Sequence, residues 1–158
     1  MTGKVSTIAA LLVLLAGCGG PPPVPPAVVN ATITVGADAN AGPDGKGAPV
    51  ALRLYQLVSP AGFAGAQFFA IFDKDTATLK DDIVKRDDLL LAPGQSKSLT
   101  LMPEDRAHAI GVFAAYRDYE HVMWHAVVDI PAHQTSTLTV SADKAGVMAK
   151  IEPVKPAK

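Results

Sequence analysis

Between Ala31 and Ile151 the apolar residues of this chain fall mostly into short runs, and turn formers such as Pro93-Gly94, Pro103-Glu104-Asp105 and Pro131 close them. Ile33 and Val35 alternate with Thr32 and Thr34, and Leu138 and Val140 alternate with Thr137 and Thr139, the period of a half-buried strand. Strands are expected over Ala31–Ala37, Val50–Leu57, Leu89–Leu91, Ser98–Met102, His108–Arg117, Val122–Ile130, Thr135–Ser141 and Val147–Ile151. Many short strands without regular intervening helices predict a mainly β chain folded as a sandwich. The exception is Gly62–Phe72, where Phe68 and Phe72 stand at i and i+4 beside Phe63 and Ile71. This spacing predicts a short helical element covering one face or edge, with a second helical turn over Thr76–Asp82.

The N-terminus follows a different rule. Lys4 precedes an apolar run from Ile8 to Leu15, then come Ala16, Gly17 and Cys18. A membrane span needs about 20 apolar residues, so this run is too short to cross. Charged, apolar and small-residue regions in that order predict a signal peptide over residues 1–17. Leu15-Ala16-Gly17-Cys18 is similar to a bacterial lipobox, which makes Cys18 the acylation site and the first mature residue. The other reading is a secretory signal with a chance cysteine. One acyl chain holds a protein only marginally and two hold it stably, so a mature lipoprotein is expected to carry more than one. Gly19 rather than Asp follows Cys18, which favours the periplasmic face of the outer membrane.

Residues 19–26 read GGPPPVPP, a sequence that excludes helix and central strand and favours polyproline II. At about 3.1 Å per residue it holds the folded part some 25 Å from the lipid. Residues 18–29 are therefore expected to be acylated Cys and tether, residues 30–153 one domain, and residues 154–158 a loose tail. Removing residues 1–17 from 158 leaves 141, a length that suits a single core. The near balance of Lys and Arg (14) against Asp and Glu (15) offers no polybasic stripe for nucleic acid. The chain has one Cys, so no disulfide within it is possible and apolar burial must hold the domain.

The residues that suggest chemistry carry it weakly. His121 and His125 have the i, i+4 spacing of a helical zinc pair, but their neighbours favour a strand. Four residues along a strand separate the rings by about 13 Å, and with no third ligand apparent no metal site is expected. Asp73, Asp75, Asp81 and Asp82 lack the Gly and Glu that a calcium loop needs, since Thr78 and Val84 stand there. Ser59 has no nucleophile-elbow setting. No enzyme and no cofactor beyond a covalent lipid are expected. Phe63, Phe68, Phe69 and Phe72 read as core. Arg53 and Arg117 lie in apolar segments and are expected to be ion-paired, with Asp118 or Glu120 as candidates, or to sit at a contact rim.

From Leu52-Arg53-Leu54-Tyr55-Gln56-Leu57 onward the chain resembles the TssJ lipoprotein family of the type VI secretion system. The resemblance continues through Gln67-Phe68-Phe69-Ala70-Ile71-Phe72, Leu79 with Asp82, Leu91-Ala92-Pro93-Gly94, residues 111–118 (GVFAAYRD) and Trp124. It implies a transthyretin-like β-sandwich with an added helical element. It also implies an outer-membrane lipoprotein that binds the periplasmic domain of TssM and so anchors the trans-envelope complex. The chain departs from the family at His125, where Arg is common, and at Lys80, where Leu-Gly is usual and a locally different turn is expected.

The loop between the first two strands, Asp38 to Pro49, is long for a hairpin connection. Family members use this loop to contact TssM, so Asp38, Asn40, Asp44 and Lys46 are expected to bind the partner. The competing reading is an accessory or ligand-binding lipoprotein of another envelope system, with a pocket between the sheets or under the aromatic helix.

Overall fold

The computed structural model describes residues 22–155. Cys18 and the signal segment lie outside the described residues, as do residues 156–158. Eight strands form two four-stranded sheets. β1 (Val28–Val35), β4 (Ser96–Leu101), β7 (Thr135–Asp143) and β8 (Gly146–Pro153) make one sheet in the order β4-β1-β7-β8. β2 (Val50–Leu57), β3 (Ile83–Leu91), β5 (Ala109–Ala114) and β6 (His125–Asp129) make the other in the order β3-β2-β5-β6. The expected mainly β sandwich is what forms.

Alternation sets the faces. Val29, Ala31, Ile33 and Val35 of β1 and Leu138, Val140 and Ala142 of β7 point inward and meet Leu52, Leu54, Ile110 and Val112 of the facing sheet. The space between the sheets, one candidate for a ligand pocket, is thus filled by aliphatic side chains. The other face of β1 is wet and polar: Thr32, Thr34 and Asn30 bond across to Ser98, Ser96 and Thr100 of β4.

The inner strands of the second sheet, β2 and β5, are covered on their outer face as well, and this is where the expectations need correction. After β2 the chain makes α1 (Ala61–Ala64), α2 (Phe68–Phe72), α3 (Asp75–Leu79) and a 3-10 turn (Lys80–Asp82). The helix expected over Gly62–Phe72 is therefore two short pieces, interrupted at Gly65-Ala66-Gln67. They cover the outer face of β2 and β5, where Tyr55, Leu57, Phe63, Phe68, Ile71, Leu79 and Phe113 form a second core. Gly111 makes room for it, because a Cβ there would lie 2.9 Å from two carbons of the Phe63 ring. That ring packs between Tyr55 and His125. Of Phe63, Phe68, Phe69 and Phe72, the first two are core, and Phe69 and Phe72 are exposed. Lys80 takes φ 50°, a left-handed conformation that glycine favours, so its turn is a glycine-type turn built on lysine.

A polar cluster fastens this layer. Arg53 and Tyr55 of β2 face Asp88 and Arg86 of β3 in register. Asp75 of α3 reaches into the group, accepting from the Tyr55 hydroxyl at 2.7 Å and from Arg86 at 2.7 Å. Arg53 donates to the carbonyls of Ile71 and Phe72, satisfying the end of α2, and pairs with Asp88 at 3.4 Å. Its partners are thus Asp75 and Asp88, not Asp118 or Glu120. The same pairing explains why β3 begins at Ile83 rather than Leu89. Lys85, Arg86, Asp87 and Asp88 carry no apolar alternation, yet in an edge strand their charges pair along and across the ladder and guard the open edge.

Other strand ends shift by a few residues. Val28 and Val29 belong to β1, so the ordered sheet begins two residues inside the expected tether, and Val154 still donates to Thr135. β5 stops at Ala114, leaving Arg117 exposed in a turn, and β6 starts only at His125. The sheets are stitched at one edge, where Met123 bridges Gly146. Gly146 has φ 127°, and a Cβ there would lie 2.3 Å from the Met123 carbonyl oxygen, so glycine alone fits.

Candidate functional site

Tracing strand directions separates two poles. β1 leaves the tether at Val28 and ends at Val35, where the long loop to Val50 begins. The loops at 92–95, 115–124 and 144–145 lie at that same far end, because β3, β5 and β7 also finish there. The tether enters at the near end, where Pro25 offers its carbonyl to the His133 ring at 3.2 Å. Eight residues of β1 make the poles about 25 Å apart.

The long loop is staked at its base. Ala39 is fully buried, and its carbonyl accepts the N–H of Ala48 at 2.9 Å. Asn40 adopts φ 50°, which its short amide tolerates, and uses both ends of that amide. It donates to the Pro49 carbonyl at 2.9 Å and accepts the Arg117 N–H at 2.8 Å. Asn40 therefore positions the loop from its base. The tip closes on itself: Gly42 donates to Lys46, Gly45 to Gly42, and the Lys46 N–H to the Asp44 carboxylate. Asp38, Asp44 and Lys46 point into solvent. Of the four residues expected to bind the partner, those three are exposed, and Asn40 is half-buried and hydrogen-bonded at the loop base.

Against the loop stands the 115–124 segment. Tyr116 is buried; burial, then the charges of Asp143 and Asp38, push its hydroxyl well above the usual range and keep it protonated. A shallow groove between Asn40, Ala41, Tyr116, Asp118, Val122 and Lys144 separates the two segments. His121 is exposed and bonded to Asp118, which raises its pKa, whereas His125 packs against Phe63 and Trp124, and burial lowers its pKa. The pair does not converge, and among the described residues no group of three or more His, Cys, Asp or Glu is arranged to hold a metal. His125 thus serves packing of the helical layer. Sequence reasoning missed Phe69 and Tyr119, whose rings meet at 5.2 Å on the surface next to this segment. For Phe69 the signal was an aromatic excess on a short helical element; Tyr119, in a turn, carried none.

The T6SS-SciN family model, described as type VI secretion lipoprotein, VasD, EvfM, TssJ, matches residues 27–145. The chain belongs to this lipoprotein family. Among solved structures, the type VI lipoprotein TssJ1 from Pseudomonas aeruginosa is 30% identical with a TM-score of 0.78, covering 83% of this chain and 100% of TssJ1. Lip from Serratia marcescens, a membrane-bound component of the type VI secretion system, is 24% identical with a TM-score of 0.71, covering 84% of this chain and 99% of Lip. A chain in the structure of the TssM C-terminal domain from EAEC is 24% identical with a TM-score of 0.66, covering 77% of this chain and 99% of its own. None of the curated proteins matches significantly in sequence. The transthyretin-like sandwich of TssJ proteins is the fold described above. TssJ-family proteins are structural lipoproteins of the secretion system rather than enzymes.

Proposed function

We propose that this chain is the outer-membrane lipoprotein that binds the periplasmic domain of TssM and anchors the type VI membrane complex. Residues 1–17 direct export, acyl chains on Cys18 hold the protein to the membrane, and the far pole of the sandwich holds the partner. Lipid affinity and protein affinity then act in series. The observation that carries this reading is the separation of the poles: the tether enters beside His133, and Asp38, Asp44 and Lys46 are displayed at the opposite end. The family match, and the occurrence of a chain of this fold in a structure of the TssM C-terminal domain, support the choice of partner.

Calorimetric titration of residues 22–158 with the TssM periplasmic domain from the same organism tests it. Deleting the loop would remove the buried Ala39, so the informative variant is Asp44→Arg with Lys46→Glu at the exposed tip. Micromolar or tighter binding that weakens at least about tenfold in the variant supports the site. Undiminished binding keeps the partner and removes the tip residues, and no binding by the folded domain overturns the reading. In cells, Cys18→Ser should move the protein out of the outer-membrane fraction.

A further inference from the structure

The helical layer displays aromatic surface that its own core leaves uncovered. Phe68 turns inward, stacked on Tyr119 with ring centroids 4.2 Å apart. Phe69 turns outward and is 52% exposed, meeting Tyr119 edge-on at 5.2 Å, and Phe72 beside it is 40% exposed. Next to this ledge runs an open groove between Gln67, Phe69, Tyr119 and Glu120, with Trp124 in its wall. Contiguous exposed aromatics are what association surfaces are enriched in.

Position decides the occupant. Tyr119 sits in the turn 117–120, and the Arg117 N–H of that turn is bonded to Asn40 at the base of the long loop. Ledge and loop are therefore two shoulders of one turn, both at the far pole. The lipid anchor belongs to the other pole: Pro25 is held there by His133, and Cys18, seven residues earlier, would need the full tether reach of about 25 Å to come level with the ledge. Glu120 borders the groove and Asp73 follows Phe72, so a complementary surface carries an apolar side chain flanked by a Lys or Arg.

We infer that the Phe69-Tyr119 ledge is a second half of the partner-docking face, receiving an apolar side chain of the TssM periplasmic domain with a basic group against Glu120. This rests on the partner proposed above and extends its site from the loop tip across to the helical layer.

The same titration decides it with two further variants of residues 22–158, Phe69→Ser and Glu120→Lys, each checked for an unchanged melting temperature. Both residues are exposed, so each variant should fold. The ledge predicts that Phe69→Ser weakens TssM binding at least about tenfold, the size of a hot-spot loss, and that Glu120→Lys weakens it as well. Wild-type binding that both variants retain overturns the ledge while leaving the loop reading intact. Absence of wild-type binding overturns both. Self-association in sedimentation, or adsorption to phospholipid vesicles, that Phe69→Ser abolishes while TssM binding persists would assign the ledge to another occupant and overturn the inference. Should Phe69→Ser fail to fold, Glu120→Lys alone decides: unchanged affinity rejects the ledge, reduced affinity supports it.

Discussion

Asn40 holds Arg117. Its side-chain carbonyl accepts the Arg117 N–H at 2.8 Å while its amide group donates to the Pro49 carbonyl at 2.9 Å, so one residue ties the long loop to its own base and to the turn 117–120.

Replacing Asn40 with Ala should destabilise the domain by about 1–3 kcal/mol, because two bonds are lost at a backbone position with positive φ. Asn40→Asp keeps the acceptor for Arg117 and loses the donor to Pro49, so it should fall between wild type and Ala. Urea unfolding of the three proteins measures the order. Equal stability would mean that the loop base is held by Ala39 and Ala48 alone.

What the sequence made legible follows from how local each cause is. The strands β1 and β7 announce themselves because each has one wet face, so alternation survives in the residues themselves. β3 does not, since Lys85-Arg86-Asp87-Asp88 becomes a strand only through partners on β2 and α3 that are far away in sequence. The same distance hid Asn40. As a letter it suits a polar contact loop, and only the approach of Arg117, 77 positions on, shows that its amide is already engaged. Phe69 fails the opposite way: helical spacing made it core, but the piece containing it is five residues long and buries only one side.

Gly111 and Phe63 should behave as a pair. A methyl at Gly111 would sit 2.9 Å from ring carbons of a fully buried side chain, with Leu57 at 3.0 Å, so nothing nearby yields cheaply. Gly111→Ala is expected to lose about 1–3 kcal/mol, as overpacked cores do. Adding Phe63→Leu should recover part of that loss relative to the sum of the single variants, a coupling that a double-mutant cycle reads directly. Strict additivity would show that the strain is in the β5 backbone instead.

Asp75 predicts the acid response. Burial alone would raise its pKa, but bonds from the Tyr55 hydroxyl, the Arg86 guanidinium and the Thr76 N–H outweigh that and hold the carboxyl below its ordinary range. A group depressed in the folded state adds stability above its unfolded value, near 3.9, and loses it as pH falls through the lower folded value. Asp75→Asn should therefore cost about 1–3 kcal/mol at neutral pH. The gap from wild type should stay level down to about pH 5 and narrow below about pH 4. Denaturation curves across that range check it, and a gap that widens with acid would contradict the assignment.

His121 and His125 stand four positions apart and should titrate in opposite directions from the ordinary 6.5. For His121 the cause is the bond to Asp118, reinforced by that carboxylate's charge, on a ring otherwise open to water. For His125 it is burial against Phe63 and Trp124, which disfavours the imidazolium despite an opposing backbone bond at Ala64. A single NMR titration of the ring protons should place His121 above 6.5 and His125 below it. Asp118→Asn removes the carboxylate without touching the helical layer, so the His121 midpoint should fall toward the ordinary value while the His125 midpoint stays. Movement of both midpoints would mean that the turn and the start of β6 shift together, and the turn would then not be the fixed shoulder that links the loop to the ledge.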